Sequence, residues 1–305
     1  MCARADADKP DQPRADGAEL TLAMAPHIAP LLAVRTEGLG ERTPADLSFS
    51  NLWLFREAHR WRWHGGAWPC LSGFAYDGRP IAVPLFDVRR APIDELRFLV
   101  ARHGSLYALS EREATSISDP RLMLAACRDD ADYVYPAHQF RFYRGRALRK
   151  KANLMAQLQV AHVLHAKPYG PRLRQDALAV LQGWMQDKHK ARGDADEAAC
   201  RDALSNAAEL RLDGFVHWAD GQPAGFLLAE EVADGVWVIR FAKGRVRFKG
   251  IAQYMFHHFA CRPSAKVDWI NFEQDLGLPG FRQTKLSYRP ALLLPKWRLL
   301  ASTES

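Results

Sequence analysis

The stretch that decides the fold runs from residue 210 to residue 242 and reads LRLDGFVHWADGQPAGFLLAEEVADGVWVIRFA. Three runs rich in apolar and β-branched residues are separated by Asp220-Gly221 and Asp234-Gly235. An Asp-Gly pair between two such runs is a hairpin signal, because tight hairpin turns favour residues that adopt a positive φ. The stretch therefore predicts three antiparallel strands joined by two tight turns.

The segments on either side of these strands complete an ordered pattern. Residues 172–190 predict an amphipathic helix, and residues 194–209 predict a second helix. The strands are followed by a helix over 250–260, a strand over 267–273, a short helix over 278–288 and a last strand over 289–299. This is the element order of an acyltransferase fold of the GNAT type, so we expect an α/β (α+β) fold.

The first half of the chain shows a looser version of the same order. Its predicted elements are a helix over 51–63, a hairpin at Asp77-Gly78, a helix over 94–103, a strand over 105–111 and a helix over 119–129. We therefore expect two tandem GNAT-like domains, each with a mixed sheet flanked by helices. The expected division is a disordered tail over 1–19, an N-terminal domain over 20–150, a linking helix and breaker over 151–171, and a C-terminal domain over 172–305.

Composition and charge exclude several classes of protein. The chain has 305 residues, of which 48% are hydrophobic and 25% are charged, which excludes a disordered chain, a collagen and a coiled-coil rod. The formal net charge of +7 favours an anionic partner, such as nucleic acid, a phosphate-bearing cofactor or an anionic membrane surface. Five scattered cysteines without a C-x-x-C pair argue against a disulfide framework and a zinc site. Because we find no signal-peptide pattern and no long apolar run, we expect a cytoplasmic protein, at most peripheral to the inner membrane.

A first candidate site is the hexapeptide RFKGIA over 247–252, which lies between a strand and a helix. It resembles the pattern R/Q-x-x-G-x-G/A of the GNAT superfamily, and this resemblance implies a glycine loop and a helix N-terminus that bind the pyrophosphate of coenzyme A. The candidate cofactor-binding residues are Arg247, Lys249, Gly250 and Ala252. The alternative is an ordinary basic start to a helix.

A second candidate site reads NFEQDLGLPGFRQTKLSYRP over 271–290. Asn271, Glu273 and Asp275 alternate along a strand end, so their side chains are expected to share one face. The spacing of Arg282, Lys285 and then Tyr288 or Arg289 places these residues on one face of the following helix. Acidic and basic groups would then face each other across a turn, either as a catalytic site or as a structural network of salt bridges.

This motif, N-x-E-x-D-L-G-x-x-G-x-R-x-x-K-x-S-Y-x-P, is similar to the C-terminal signature of the phosphatidylglycerol lysyltransferase C-terminal-domain family. Residues 49–52 and 133–153 resemble two further segments of that bacterial family. The resemblance implies tandem GNAT-like domains and transfer of an amino acid from aminoacyl-tRNA to the headgroup of phosphatidylglycerol. Related enzymes add amino acids to cell-wall precursors.

We therefore expect an acyltransferase or aminoacyltransferase, with aminoacyl-tRNA or acyl-CoA as co-substrate and no tightly bound cofactor or metal. Glu273 or Asp275 would be the base, and a backbone N–H with Lys285 or Tyr288 would stabilise the oxyanion. The candidate substrate-binding residues are Asn271, Arg282, Lys150, Lys151 and Asn153. The basic run 141–151 is either a solvated face or a surface that grips a phosphodiester backbone, with base stacking on Phe140, Phe142 and Tyr143.

Two alternatives to an aminoacyltransferase follow from the same residues. The first is an acyl-CoA-dependent N-acyltransferase. The second is a non-catalytic protein that binds tRNA or anionic lipid on a decayed transferase fold. The carboxylates of Glu273 and Asp275 favour an enzyme, because a binder of anions gains nothing from acids beside its basic face.

Overall fold

The computed structural model describes residues 16–191 and 196–302, and most of the predicted tail lies outside these residues. The chain divides into two compact units. The first unit runs up to Asp132 and takes in Gln274–Leu278 and the chain from Leu294 onward, and the second comprises Tyr133–Glu273 and Pro279–Leu293. This division differs from the predicted boundary near residue 150, because residues 133–150 belong to the second unit and the end of the chain returns to the first.

The first unit contains one mixed sheet with the strand order β1-β2-β3-β4-β5-β14-β6. Its strands among the described residues are β1 (Ala18–Glu19), β2 (Arg62–His64), β3 (Cys70–Phe74), β4 (Pro80–Pro84), β5 (Ser105–Leu109), β6 (Leu122–Ala126) and β14 (Trp297–Ala301). Its α-helices are α1 (Ala25–Thr36), α2 (Phe49–Leu54), α3 (Arg56–His59), α4 (Ile93–His103) and α5 (Glu111–Ala114). Strands β4 and β5 are parallel, and the other neighbours are antiparallel.

The second unit contains another mixed sheet, with the order β13-β7-β12-β11-β10-β9-β8. Its strands in the described chain are β7 (Asp132–Pro136), β8 (Leu164–Pro168), β9 (Asp213–Ala219), β10 (Gln222–Ala233), β11 (Val236–Gly244), β12 (Trp269–Asn271) and β13 (Leu292–Leu294). Its helices are α6 (His138–Phe142), α7 (Arg149–Ala161), α8 (Arg174–Asp187), α9 (Glu197–Ser205), α10 (Ile251–Cys261) and α11 (Pro279–Leu286). Two mixed sheets flanked by helices confirm the predicted α/β (α+β) class.

The three strands predicted over 210–242 are confirmed as β9, β10 and β11, which pair antiparallel through the two expected turns. Gly221 and Gly235 have φ values of 74° and 70°, which is the backbone conformation that the Asp-Gly turns require. The helices and the strand predicted around them are also present, although β12 is shorter than expected. The core of this unit packs α6, α7 and α10 against the sheet.

Four predictions about single elements are wrong. The helix expected over 51–63 is two short helices, α2 and α3, and its last two residues belong to β2, which pairs with β1 and β3. The helix expected over 119–129 is replaced by β6, because β14 offers its backbone groups to this segment from the far end of the chain. The strand expected over 289–299 is two strands, β13 and β14, which enter different sheets. Within the predicted tail, Ala18 and Glu19 form β1 by pairing with β2. Each error arises from a partner that is distant in sequence.

Candidate functional site

The two parallel strands in the middle of the second sheet separate along their length. Strands β11 and β12 pair from Val236 opposite Trp269 to Val238 opposite Asn271. Strand β12 ends at Asn271, whereas β11 continues to Gly244. A gap therefore opens within the sheet beyond Val238 and Asn271. Ligands of open α/β sheets bind at the carboxyl ends of parallel strands, so this gap is the candidate site.

Arg240 lies on β11 beside this gap and is brought there by a β-bulge. Leu228 of β10 pairs with Phe241, and the next residue, Ala229, pairs with Ile239, so Arg240 is the extra residue of the bulge. A bulge bends its strand and re-aims the side chain of the extra residue. The bulge thus explains how the fully buried guanidinium contacts both Glu230 on the paired strand β10 and Glu273, which follows β12.

The guanidinium of Arg240 lies between two carboxylates. Its Nη1 donates to Oε1 of Glu273 at 2.6 Å, and its Nη2 donates to Oε2 of Glu230 at 2.8 Å. Burial lowers the pKa of Arg240, but the two carboxylates outweigh it, so that the pKa lies above its ordinary value. Arg240 therefore stays charged and fixes the orientation of Glu273.

Glu273 sits at the mouth of the gap, and its side chain is 20% exposed. Its backbone has a φ of 58°, and its N–H donates to Oδ1 of Asn271 at 2.7 Å. This local turn ends the strand alternation, so the predicted shared face of Asn271, Glu273 and Asp275 is wrong. The side-chain oxygen of an Asn can accept a hydrogen bond from the backbone N–H two residues later, and this bond competes with the hydrogen bonds between strands.

Asp275 belongs to the first unit and is fully buried there. Its Oδ1 accepts from the N–H of Gly277, and its Oδ2 lies 3.5 Å from Nη1 of Arg128. These contacts stabilise the turn that follows the motif. A catalytic role for Asp275 stays a prediction, whereas its structural role in the turn is visible in these contacts.

Lys285 connects α11 to the end of β12. Its Nζ donates to the carbonyl oxygens of Phe272 and Glu273 at 2.6 and 3.1 Å. The hydroxyl of Tyr135 donates to the carbonyl of Lys285 at 2.8 Å. Helix α11 ends at Leu286, so Tyr288 and Arg289 lie beyond it. The basic helix face predicted for residues 282–289 therefore stops at Lys285. These contacts favour the structural interpretation of Lys285, which holds the helix against the strand that carries Glu273.

Tyr288 is a core residue that also contacts the basic helix α7. Its side chain is buried, and its hydroxyl accepts from Nε2 of Gln253 at 2.8 Å. Burial raises the pKa of Tyr288 above its ordinary value. Nζ of Lys151 lies 4.0 Å from the centre of the Tyr288 ring, a cation–π contact. Burial and the neighbouring Lys150 lower the pKa of Lys151.

The basic run 141–151 forms an exposed surface around the start of α7. The exposed cations on this surface, none of which has an acidic partner among the described residues, are Arg144, Arg146, Arg149 and Lys150. Asn153 is exposed one turn further along the helix. Of the three aromatic residues expected to stack on bases, Phe140 and Tyr143 are buried, and the exposed one is Phe142, which lies under the guanidinium of Arg144.

The predicted coenzyme-A loop has a structural explanation of its own. Gly250 precedes α10 with a φ of 98°, and a Cβ atom there would lie 2.1 Å from the carbonyl oxygen of Leu154 in α7. Glycine is therefore required by the close approach of α7. Arg247 is exposed and donates to Oε1 of Gln222 at 2.6 Å. Lys249 is also exposed, and Ala252 packs against the core. Binding of a pyrophosphate here stays a prediction.

The comparison with protein families agrees with the motif. The family model described as phosphatidylglycerol lysyltransferase, C-terminal, matches residues 38–300. The chain belongs to the phosphatidylglycerol lysyltransferase C-terminal family. This confirms the resemblance seen in residues 271–290, and both the Arg240–Glu273 pair and the basic helix α7 lie within the matched region. No match was found among the curated proteins.

Solved structures support the fold of this phosphatidylglycerol lysyltransferase C-terminal family member. A conserved protein of unknown function from Bacteroides thetaiotaomicron is 21% identical, with a TM-score of 0.79, and 93% of this chain and 98% of that chain are covered. The C-terminal domain of a putative lysylphosphatidylglycerol synthetase from Agrobacterium fabrum is 13% identical, with a TM-score of 0.62 and 93% of each chain covered. L-PGS from Bacillus licheniformis is 12% identical, with a TM-score of 0.55 and coverage of 83% and 92%.

Glu230, which is the second carboxylate beside Arg240, was not among the predicted site residues; it lies in the second half of β10. A signal was present, because Glu230 follows the apolar run FLLA, and a carboxylate in a buried strand needs a partner. Arg240 interrupts the apolar run VWVIRFA in the same way.

No described helix is long and apolar enough to cross a bilayer.

Proposed function

We propose that this protein is an aminoacyltransferase that moves an aminoacyl group from aminoacyl-tRNA to a lipid headgroup or to another hydroxyl or amine acceptor. The observation that carries the proposal is the contact of Lys151 with Tyr288. It joins the start of the basic helix α7 to the motif that contains Glu273, within one compact unit. Exposed cations bind the phosphates of a tRNA, and a carboxylate can act as the base when the aminoacyl ester of that tRNA is attacked.

The reaction that these residues can support is a direct attack. Glu273, oriented by Arg240, takes the proton of the acceptor hydroxyl or amine as that group attacks the ester carbonyl of the donor. The carbon–oxygen bond to the terminal ribose breaks, and the ribose oxygen leaves with the proton that Glu273 accepted. No covalent enzyme intermediate is required, because the aminoacyl ester is already activated.

The packing of α7 favours aminoacyl-tRNA over acyl-CoA as the donor. A pyrophosphate at the loop 247–252 would need the backbone around Gly250 to face it. At Gly250 the nearest backbone is the Leu154 carbonyl, which presents an oxygen with partial negative charge. Three of the five cations between residues 240 and 249 are paired with acids, namely Arg240, Lys243 and Arg245.

The test of the proposal is a transfer assay with the full chain, a bacterial extract as the source of acceptor and a pool of radiolabelled aminoacyl-tRNA. We expect label to move into a lipid or polar product, and we expect Glu273→Gln to reduce the rate by about 10²–10⁴-fold. The matched control is Glu209→Gln, because Glu209 is exposed and lies in the same unit. No transfer, with the charged tRNA shown to be intact, would contradict the proposal and make binding of coenzyme A the next measurement.

A second pair of variants tests the donor surface. Replacing Arg149 and Lys150 with alanine should raise the KM for aminoacyl-tRNA and flatten its dependence on salt, because phosphate contacts release counterions. The matched control replaces Lys188 and Lys190 with alanine, two exposed lysines after α8 in the same unit. Equal effects of the two pairs would show that only overall charge matters.

A further inference from the structure

A cavity of about 510 Å³ lies in the second unit, where β9 begins and α10 ends. Its walls are mainly apolar and include Pro168, Phe215 and Pro263, and a few polar side chains line it as well. Its described lining includes neither Arg240 nor Glu273, nor any residue of the basic run 141–151. A mainly apolar cavity of this size with a few polar groups is typical of a site for a small molecule.

Arg262 lines this cavity, and its side chain is 1% exposed. Its Nη1 donates to Oδ2 of Asp213 at 2.7 Å, and the ring centres of Trp237 and Phe259 lie 3.8 and 4.3 Å from its guanidinium carbon. Its Nε and Nη2 are buried and have no hydrogen-bond acceptor among the described residues. The rings stabilise the charge but offer these two donors no oxygen, and a buried donor without an acceptor costs free energy.

Two other buried arginines show what the Nε and Nη2 edge of a guanidinium binds in this protein. Arg35 donates from this edge to both carboxylate oxygens of Glu113, at 2.8 and 3.1 Å. Arg240 donates from it to Oε2 of Glu230, at 3.1 and 2.8 Å. In Arg262 the same edge meets no acid among the described residues. Because two parallel donors match the two oxygens of a carboxylate, a carboxylate is the acceptor that this edge fits best.

The charge balance at Arg262 also differs from that at Arg240. Burial lowers the pKa of Arg262 below its ordinary value, and Asp213 and Glu231 offset only part of this effect. At Arg240, where two carboxylates contact the guanidinium, the pKa lies above its ordinary value. A second carboxylate at Arg262 would reproduce the arrangement at Arg240. A phosphate ester, which carries a charge of about −2, would be repelled more strongly by Asp213.

We propose that this cavity binds a small apolar carboxylic acid in its ionised form. The carboxylate accepts from Nε and Nη2 of Arg262, and the hydrocarbon part packs against Phe215 and the two prolines of the wall. Because both donors are closed to solvent, the wall of the cavity yields locally as the ligand enters. The inference goes beyond the proposed function, since no residue of the cavity takes part in the proposed transfer.

The experiment uses Cys261 as a reporter, because its exposed thiol lies in the wall of the cavity. Alkylation of each cysteine of the full chain by iodoacetamide is followed over time by peptide mass spectrometry, with octanoate as the probe. We expect octanoate to slow the alkylation of Cys261 saturably, by at least about fivefold, since a bound ligand protects in proportion to its occupancy. Cys127, a partly exposed thiol of the first unit, is the internal control and should react at an unchanged rate.

Two comparisons test the role of Arg262. Octanol, which has the same chain but no carboxylate, should need a roughly tenfold higher concentration for half protection. Arg262→Gln should raise the octanoate concentration needed for half protection by about tenfold or more. The matched control is Arg174→Gln, since Arg174 is exposed and lies in the same unit, and it should leave protection unchanged.

Several outcomes would overturn the proposal. The first is an alkylation rate of Cys261 that octanoate does not change. The second is equal protection by octanol, which would indicate an apolar cavity without a carboxylate site, and the third is equal protection by inorganic phosphate. Unchanged protection in Arg262→Gln would be the fourth. If this variant does not fold, the comparison of octanoate with octanol on the unaltered chain still decides.

Discussion

Each compact unit buries one cation between two carboxylates, and the two clusters differ in their surroundings. In the first unit, Nζ of Lys296 lies 2.5 Å from Asp46 and 3.0 Å from Asp132, with Gln274 at 2.7 Å. In the second unit, Arg240 lies between Glu230 and Glu273. Burial lowers the pKa of Lys296, but Asp132 and Asp46 outweigh it and raise the pKa well above the ordinary value.

The comparison shows that a buried ion cluster alone does not mark a site. Lys296 and Asp132 are both fully enclosed, and the cluster ties two distant segments of the first unit to its sheet. Arg240 is equally buried, but it lies on a bulge of β11, at the point where β11 separates from the parallel strand β12. Its partner Glu273 is partly exposed to solvent. What distinguishes the second cluster is the opening between β11 and β12 beside it; under the proposed function, a substrate would reach the carboxylate of Glu273 through this opening.

The largest effect on stability is expected in the enclosed cluster. Lys296→Met should lower the free energy of unfolding by about 3–5 kcal/mol, because two buried carboxylates lose their cation. Urea unfolding at neutral pH measures this effect. Lys188→Met is the control, and since Lys188 is exposed it should change the free energy by less than about 0.5 kcal/mol. A loss below about 1 kcal/mol for Lys296→Met would mean that water reaches the cluster.

A smaller effect is expected when Arg240 becomes lysine. One ammonium group cannot reproduce the planar set of donors that contacts Glu230 and Glu273, so we expect a loss of about 2 kcal/mol in unfolding free energy. The transfer rate should fall more than about tenfold, because Glu273 loses its orientation. Full activity in a stable Arg240→Lys variant would show that the bulge positions no catalytic group.

Each unit contains a buried histidine that makes the stability of the protein depend on pH. Burial, and then His258, lower the pKa of His217 in the second unit to about 3, and burial, and then His64, lower the pKa of His103 in the first to about 4. Both are neutral when folded and gain a proton near pH 6.5 when unfolded, so stability is full above that pH and declines as the pH falls. His217 alone should remove about 1–2 kcal/mol between pH 7 and pH 5.

The variant His217→Leu tests this expectation. It should make the decline in unfolding free energy between pH 7 and pH 5 shallower, leaving the part that His103 and the other histidines with lowered pKa values contribute. His165→Leu is the control, because His165 is exposed and stacks on Trp218. An unchanged slope in His217→Leu would mean that the imidazole is hydrated in the folded protein.

The smallest effect on stability is expected for Glu273→Gln, which is the variant with the largest expected loss of transfer. Arg240 keeps its contacts with Glu230, and Glu273 is partly exposed, so the free energy of unfolding should fall by less than about 1 kcal/mol. Urea unfolding beside the transfer assay separates the two effects. A loss of stability as large as that of Lys296→Met would place Glu273 in a structural cluster like that of the first unit.

The sequence by itself determined the second unit's order of elements and the family. Asp-Gly turns, apolar runs and helical spacing are local signals, so the hairpins at 220–221 and 234–235 and the helices around them could be predicted without a structure. The motif over 271–290 was enough to identify the family, and the family model confirms it over residues 38–300.

Tertiary structure alone decided which charges meet. Glu230 and Glu273 are far apart in sequence and reach one guanidinium through a bulge that the alternation of residues does not reveal. The predicted division into domains could not anticipate that β14 would return to the first sheet. Gly250 fits a phosphate loop in sequence, yet α7 supplies a packing reason for it. Local propensity fixes the conformation of a segment, whereas long-range pairing fixes the side chains that it contacts.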